Sequence, residues 1–288
     1  MSLARENVID CEARRRAGRS ATLVALFGVI ATLGLAARIY VLQAAGKSAA
    51  AIAMAADMNM RDMRRFWSFP LLQSSGLIAL LCAYAAAVLG LWQANLKARG
   101  STPKPWVEPL HRHLALLVIG LLLIHMLATG LDAMGDSWRT VLIPGTWARQ
   151  GWPQAVTGYN TGIAAVYLLL LVAPTYYLRR SLGPSRWRLL HRLVLVFYGL
   201  SIWHAMILGL DLAHYAWLRP VIWLAQLPLL LMLMRRAYRS MMANPTRSGL
   251  SISIVRMSCL ALLVLSGAMA AALLLLVCTG RSDFISTV

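Results

Sequence analysis

The chain has 288 residues, of which 59% are hydrophobic and only 13% charged, with a net charge of +18. That charged share is about half the average for a soluble protein, which excludes an ordinary water-soluble globule and points to a bilayer as the solvent. The excess of bases does not indicate a nucleic-acid partner, because the bases form no single stripe or tail but cluster between apolar runs, as the positive-inside rule predicts.

The first 20 residues are polar and basic and read as a cytoplasmic segment. The apolar run that follows is too long for a signal-peptide core and shows no small-residue cleavage site, so it reads as an uncleaved anchor. About 20 residues of helix cross about 30 Å of hydrocarbon. Seven runs meet that length, near 21–43, 70–94, 114–133, 158–178, 189–210, 217–234 and 256–278. The predicted fold is therefore all-α: a polytopic helical membrane bundle with a six-helix core over 21–236. A loop and a seventh helix follow over 237–288. With the N-terminus inside, 19 of the 28 bases fall on the cytoplasmic side, and seven spans put the C-terminus outside. Five of the nine outer bases lie between Arg38 and Arg65.

Between the first and second spans, the outer loop at about 44–69 reads as an interfacial amphipathic helix. It carries Met54, Met58, Met60 and Met63. Thioethers suit Cu(I), but an apolar face explains these methionines equally well. The second outer loop, about 134–157, holds Trp138, Trp147 and Trp152, which suit the membrane interface. Gly183-Pro184 marks a turn in the basic loop between the fourth and fifth spans. The cysteines Cys11, Cys82, Cys259 and Cys278 show no CxxC spacing, which supports neither a disulfide framework nor a zinc or iron–sulfur site. After Arg236 only 52 residues remain, too few for a nucleotide-binding α/β domain of about 100 residues.

Histidines inside two spans are the informative feature. The third span carries His111, His113 and His125, and the fifth carries His191 and His204. An ionisable residue within a span is a functional-site candidate, and neutral imidazole is a common axial ligand of haem iron. His111 and His125 are 14 residues apart, about 21 Å of ideal helix, and return to within about 40° of one face. His191 and His204 are 13 apart. Both spans run from inside to outside, which levels His111 with His191 near the inner surface and His125 with His204 near the outer one. Two His–His pairs at two depths describe two stacked b-type haems. A lone membrane histidine is often a packing residue; four that pair by depth on co-oriented helices are much harder to obtain by accident. Thirteen residues of ideal helix leave His204 about 140° off the face of His191, a mismatch for rotamers, haem orientation or a distortion near Gly199 to absorb. His113 is a lesser candidate, about 120° around the helix from His125. His214, in the short outer loop, is another, and reads more simply as a solvated histidine.

Haem propionates are anionic. Arg112, Arg188 and Arg192 are placed to meet those of the inner haem, although each also serves as an ordinary positive-inside residue. Arg139 and Arg65 are the outer counterparts.

At these two spans the chain resembles the ferric reductase-like transmembrane domain family. Its members include ferric reductases, NADPH oxidases and the haem-binding membrane subunit of the bacterial periplasmic methionine sulfoxide reductase system. The residues that carry the resemblance are His111, Ala115, Ile124 and His125 on the third span, and His191, Gly199 and His204 on the fifth. The resemblance implies His111 and His191 as axial ligands of the inner haem iron and His125 and His204 as those of the outer. It further implies electron flow from the cytoplasmic side outward. Three features depart from the family. The flavin and nicotinamide domain that usually follows the sixth helix does not appear here. Superoxide-producing oxidases carry a further histidine one turn after the outer ligand, where this chain has Thr129, which argues against oxygen as the dedicated acceptor. A seventh helix is appended and is an expected docking site for a partner subunit.

The expectation is a di-haem cytochrome b subunit of a plasma (inner) membrane, the electron-transfer part of an oxidoreductase. Its donor would be a separate protein, free flavin or quinol, and its acceptor a redox partner or ferric chelate outside. No sequence feature supports a bound flavin, and no general acid, base or nucleophile stands out. The alternatives are a quinone-reactive cytochrome b of a larger complex and, in a different class, a non-redox transporter or scaffold.

Overall fold

The structure, a computed structural model, describes residues 2–47, 67–97, 100–102, 104–131, 138–146, 153–209, 212, 217–242 and 250–278. Among the described residues every element is helical and no strand occurs. The helices are α1 (Ser2–Ala44), α2 (Phe69–Lys97), α3 (Val107–Gly130), the short α4 (Trp138–Leu142) and α5 (Pro153–Val172). They continue with α6 (Arg179–Leu182), α7 (Pro184–His191), α8 (Leu193–Leu208), α9 (Leu218–Met242) and α10 (Leu250–Cys278). Six spans are long and apolar enough to cross a membrane: 22–44, 69–97, 107–130, 156–176, 184–208 and 218–242. The seventh expected span corresponds to α10, in which Met257–Ala272 forms a shorter apolar stretch. The Met cluster, Arg65, Trp147, Trp152 and His214 lie outside the described residues.

The chain divides into two compact units. One comprises Met1–Ala21, Ala85–Arg112 and Tyr215–Val288, the other Thr22–Tyr84 and His113–His214. In the first, α10 packs along α9, with Gly267 beside Met234. Asn95 on α2 donates from Nδ2 to the carbonyls of Leu91 at 3.0 Å and of Met232 on α9 at 3.1 Å. Arg236 donates to the carbonyl of Ala94 at 2.9 Å. Such bonds tie helices together where lipid gives no hydrophobic drive for their association.

In the second unit α5 and α8 lie closely side by side, and Gly158 is what lets Ile207 and Leu208 approach. A Cβ at Gly158 would fall 2.6 Å from Leu208 and 2.9 Å from Ile207. Several hydroxyls here bond to carbonyls of their own helices, which suits a bilayer core without water. Ser74 and Ser75, both 0% exposed, donate to Leu71 and Leu72, and Thr32 donates to Gly28. Phe27, Ile30 and Leu33 on α1 stand more than half exposed, the pattern of a lipid-facing side.

The fourth expected span is realised as α5 extended by a 3₁₀ turn over Ala173–Tyr176. The expected turn at Gly183-Pro184 is present. Gly183 has φ 76° and ψ 157° and precedes Pro184 at the start of α7. Proline suits that first position because its missing N–H would have had no intrahelical partner.

The fifth span is where ideal geometry fails. It is two helices, α7 and α8, joined at Arg192. The Arg192 N–H donates to Leu189 at 3.2 Å and the Leu195 N–H to Arg192 at 3.0 Å, both i to i−3 bonds of a tightened turn. The distortion thus falls directly after His191, while α8 runs through Gly199 unbroken. Tightened residues advance about 120° rather than 100°. A few of them bring His204 part of the way back toward the face of His191.

Candidate functional site

Three of the candidate histidines are held in one recurring way. His125 Nδ1 lies 2.8 Å from the carbonyl oxygen of Leu72. His204 Nδ1 lies 2.9 Å from that of Gly158, and His111 Nδ1 lies 2.9 Å from that of Ala86. A carbonyl oxygen only accepts, so in each ring Nδ1 carries the proton and donates. A neutral imidazole then has its lone pair on Nε2. A hydrogen bond of this kind fixes the tautomer and orientation of a metal-binding histidine and raises its basicity.

His125 and His204, both partly buried in the second unit, face each other. Their ring centres are 6.1 Å apart and their planes meet at 85°. A zinc–imidazole bond is about 2.0–2.1 Å, and with each ring centre about 1.1 Å beyond its nitrogen, two rings that both bonded one ion at that length would stand up to about 6.3 Å apart. The observed separation therefore fits a single ion held between the two rings. Among the described residues no group of three or more His, Cys, Asp or Glu side chains comes together around a metal. A site of only two protein ligands suits a macrocycle, which brings its own four nitrogens. The pair thus fits a haem and does not resemble a free-metal site, which in proteins takes three or four side chains.

His111 sits in the first unit, seated as described on Ala86. His191, in the second, closes α7 and stacks on Trp187 one turn earlier, with centres 5.2 Å apart and planes at 21°. His113 is partly buried two residues beyond His111. Arg112, Arg188 and Arg192 are exposed, the last two flanking His191, and Arg139 on α4 is exposed as well. Thr129, one turn after His125, donates its hydroxyl to the His125 carbonyl at 2.7 Å. Cys82, Cys259 and Cys278 are free thiols.

The residues that spacing alone missed are glycines. Gly76, Gly90 and Gly162 lie against the rings of His125, His111 and His204 respectively. One sequence signal was available: Gly76 and Gly90 are 14 residues apart, like His111 and His125.

Residues 75–202 match the family model described as ferric reductase like transmembrane component. The matched stretch holds His111, His125 and His191 and ends two residues before His204. No curated protein and no solved structure gave a match. The match agrees with the resemblance carried by the histidines and identifies residues 75–202 as a ferric reductase-like transmembrane domain. At that level the chain is a multi-pass membrane protein with the core of a redox, electron-transfer component.

Proposed function

We propose that this chain is a di-haem b-type cytochrome that relays electrons across a bacterial-type plasma membrane. The observation that carries the reading is the His125–His204 pair, with ring centres 6.1 Å apart and each Nδ1–H engaged by a main-chain carbonyl. These two residues would hold the outer haem. His111 and His191 would hold the inner one, on the support of their sequence spacing and of the seat His111 shares with the outer ligands. When bound, the haems supply one-electron redox chemistry. The chain's own part is to fix the imidazoles, with the Nδ1–H of His111, His125 and His204 on main-chain carbonyls and their Nε2 atoms left unprotonated. Exposed Arg112, Arg188 and Arg192 would offer cations to propionates on the inner side. The donor would be a separate cytoplasmic-side protein, free flavin or quinol, and the acceptor a redox partner outside. The N-terminus would be cytoplasmic and the C-terminus outside, following the distribution of bases.

The test is the visible spectrum of detergent-purified protein, oxidised and dithionite-reduced, with haem stoichiometry from the pyridine haemochrome. A sharp reduced α-band with two haems b per chain is the expected result. Colourless protein from haem-supplied cells would overturn the proposal and favour a transport or scaffolding role.

A further inference from the structure

We infer that Gly76, Gly90 and Gly162 are positioning residues that seat the axial imidazoles on main-chain carbonyls, each glycine uncovering the oxygen of the residue four positions before it. The inference rests on the haem reading above and adds residues to it that are not ligands.

The offset is the same in all three places. The acceptor of His125 is Leu72 and the glycine against its ring is Gly76. For His111 they are Ala86 and Gly90, and for His204 they are Gly158 and Gly162. Helix geometry explains the number four. A helical carbonyl at position i accepts the N–H of position i+4 and keeps a second lone pair. The Cα–Cβ bond tilts toward the helix N-terminus, so a side chain at i+4 covers the turn that holds carbonyl i. Glycine at i+4 leaves that oxygen sterically open to a donor from a neighbouring helix, which at Leu72 and Gly158 shares the oxygen with the own-helix hydroxyls of Ser75 and Thr161.

The distances support this. A Cβ at position 162 would fall 2.5 Å from Nδ1 and 2.7 Å from Cε1 of His204. At position 76 it would fall 3.0 Å from both Nδ1 and Cε1 of His125. At position 90 it would fall 3.2 Å from Cε1 and 3.6 Å from Nδ1 of His111. The His204 ring would have to shift at the atom that makes its hydrogen bond, whereas the His125 ring would have to give by a few tenths of an ångström at Nδ1 and Cε1, and the His111 ring at Cε1 alone. A purely helix-packing role for these glycines would place aliphatic side chains or backbone in front of them, as at Gly158. The nearest atoms are instead imidazole in all three cases.

The experiment compares purified full-length Gly76→Ala, Gly90→Ala and Gly162→Ala with wild type. Gly34→Ala serves as control, because position 34 on α1 faces open space. The readouts are haem per chain, the midpoint potential of each haem and the low-spin EPR signals. Disturbing groups that orient a metal-bound histidine typically costs about 10–100-fold in affinity, and Gly162→Ala, the closest approach, should lose haem most readily on dilution into haem scavenger. Gly76→Ala and Gly162→Ala, on different helices, should alter the same haem, and Gly90→Ala the other. Loss of the Nδ1–H bond makes imidazole a weaker donor to iron(III), so the affected potential should rise. If Gly162→Ala does not assemble, the two milder substitutions decide the question. Wild-type haem content, potentials and EPR in the variants, or shifts no more haem-selective than those of Gly34→Ala, would overturn the seat. Wild-type protein without haem would instead overturn the proposed function itself.

Discussion

Replacing His204 by alanine tests the outer pair most directly. The substitution removes one of two rings whose centres stand 6.1 Å apart, together with the hydrogen bond to the Gly158 carbonyl. Interhelical hydrogen bonds in membrane proteins average about 0.6 kcal/mol, so the helices should still assemble and the loss should be confined to the cofactor. On the proposed two-haem reading one haem would be lost, and the reduced α-band should fall to about half. Residues that act as one unit are strongly non-additive. His125→Ala should therefore give the same half, and His125→Ala/His204→Ala no less. His111→Ala/His204→Ala, which strikes both pairs, should abolish the band. Haem per chain by pyridine haemochrome, normalised to protein monodisperse on size exclusion, is the assay. Additive losses within the outer pair, or a full band in His204→Ala, would refute the pairing of these two histidines.

Three more outcomes follow from the geometry. The 85° angle between the His125 and His204 planes should give a haem held by this pair a strongly anisotropic low-spin EPR signal; the moderate anisotropy of near-parallel ligand planes would contradict it. Asn95→Ala removes the bond from α2 to the Met232 carbonyl on α9 and should cost about 0.6 kcal/mol, with about 1.7 kcal/mol as the upper bound, read as a lower detergent unfolding midpoint. An unchanged midpoint would mean that this bond does not hold the two helices. Gly183, with φ 76° and ψ 157°, occupies a region open essentially to glycine alone, so Gly183→Ala should cost about 1–3 kcal/mol. An unaltered melting curve would show that the turn before Pro184 relaxes freely.

Much of this was legible in the sequence because a membrane chain writes its fold in hydropathy. The apolar runs located six spans and α10, and the 14- and 13-residue histidine spacings singled out four histidines, of which His111, His125 and His204 are seated alike and His191 stacks on Trp187. Two things were not legible. The break at Arg192 has no proline or glycine to announce it; the sequence around it is HRLVL. The glycine seats were hidden because each joins residues distant along the chain, His125 to Leu72 and His204 to Gly158. Glycine is also common enough in transmembrane helices to pass without notice. Only the matching 14-residue intervals hinted at them, and an interval alone does not say which helix faces which.

The seats also bear on how such a site can be built elsewhere. The acceptors at Leu72 and Ala86 contribute main-chain oxygen, and their side chains take no part in the bond. Any residue that keeps the helix intact offers the same atom. What specifies the seat is a vacancy four residues later, a place where a side chain must be missing. Grafting a membrane haem site onto a new scaffold by copying its histidines alone would therefore carry over the ligands and leave their anchorage behind. The transferable unit is a histidine on one helix and a glycine on its neighbour, in register with the ring.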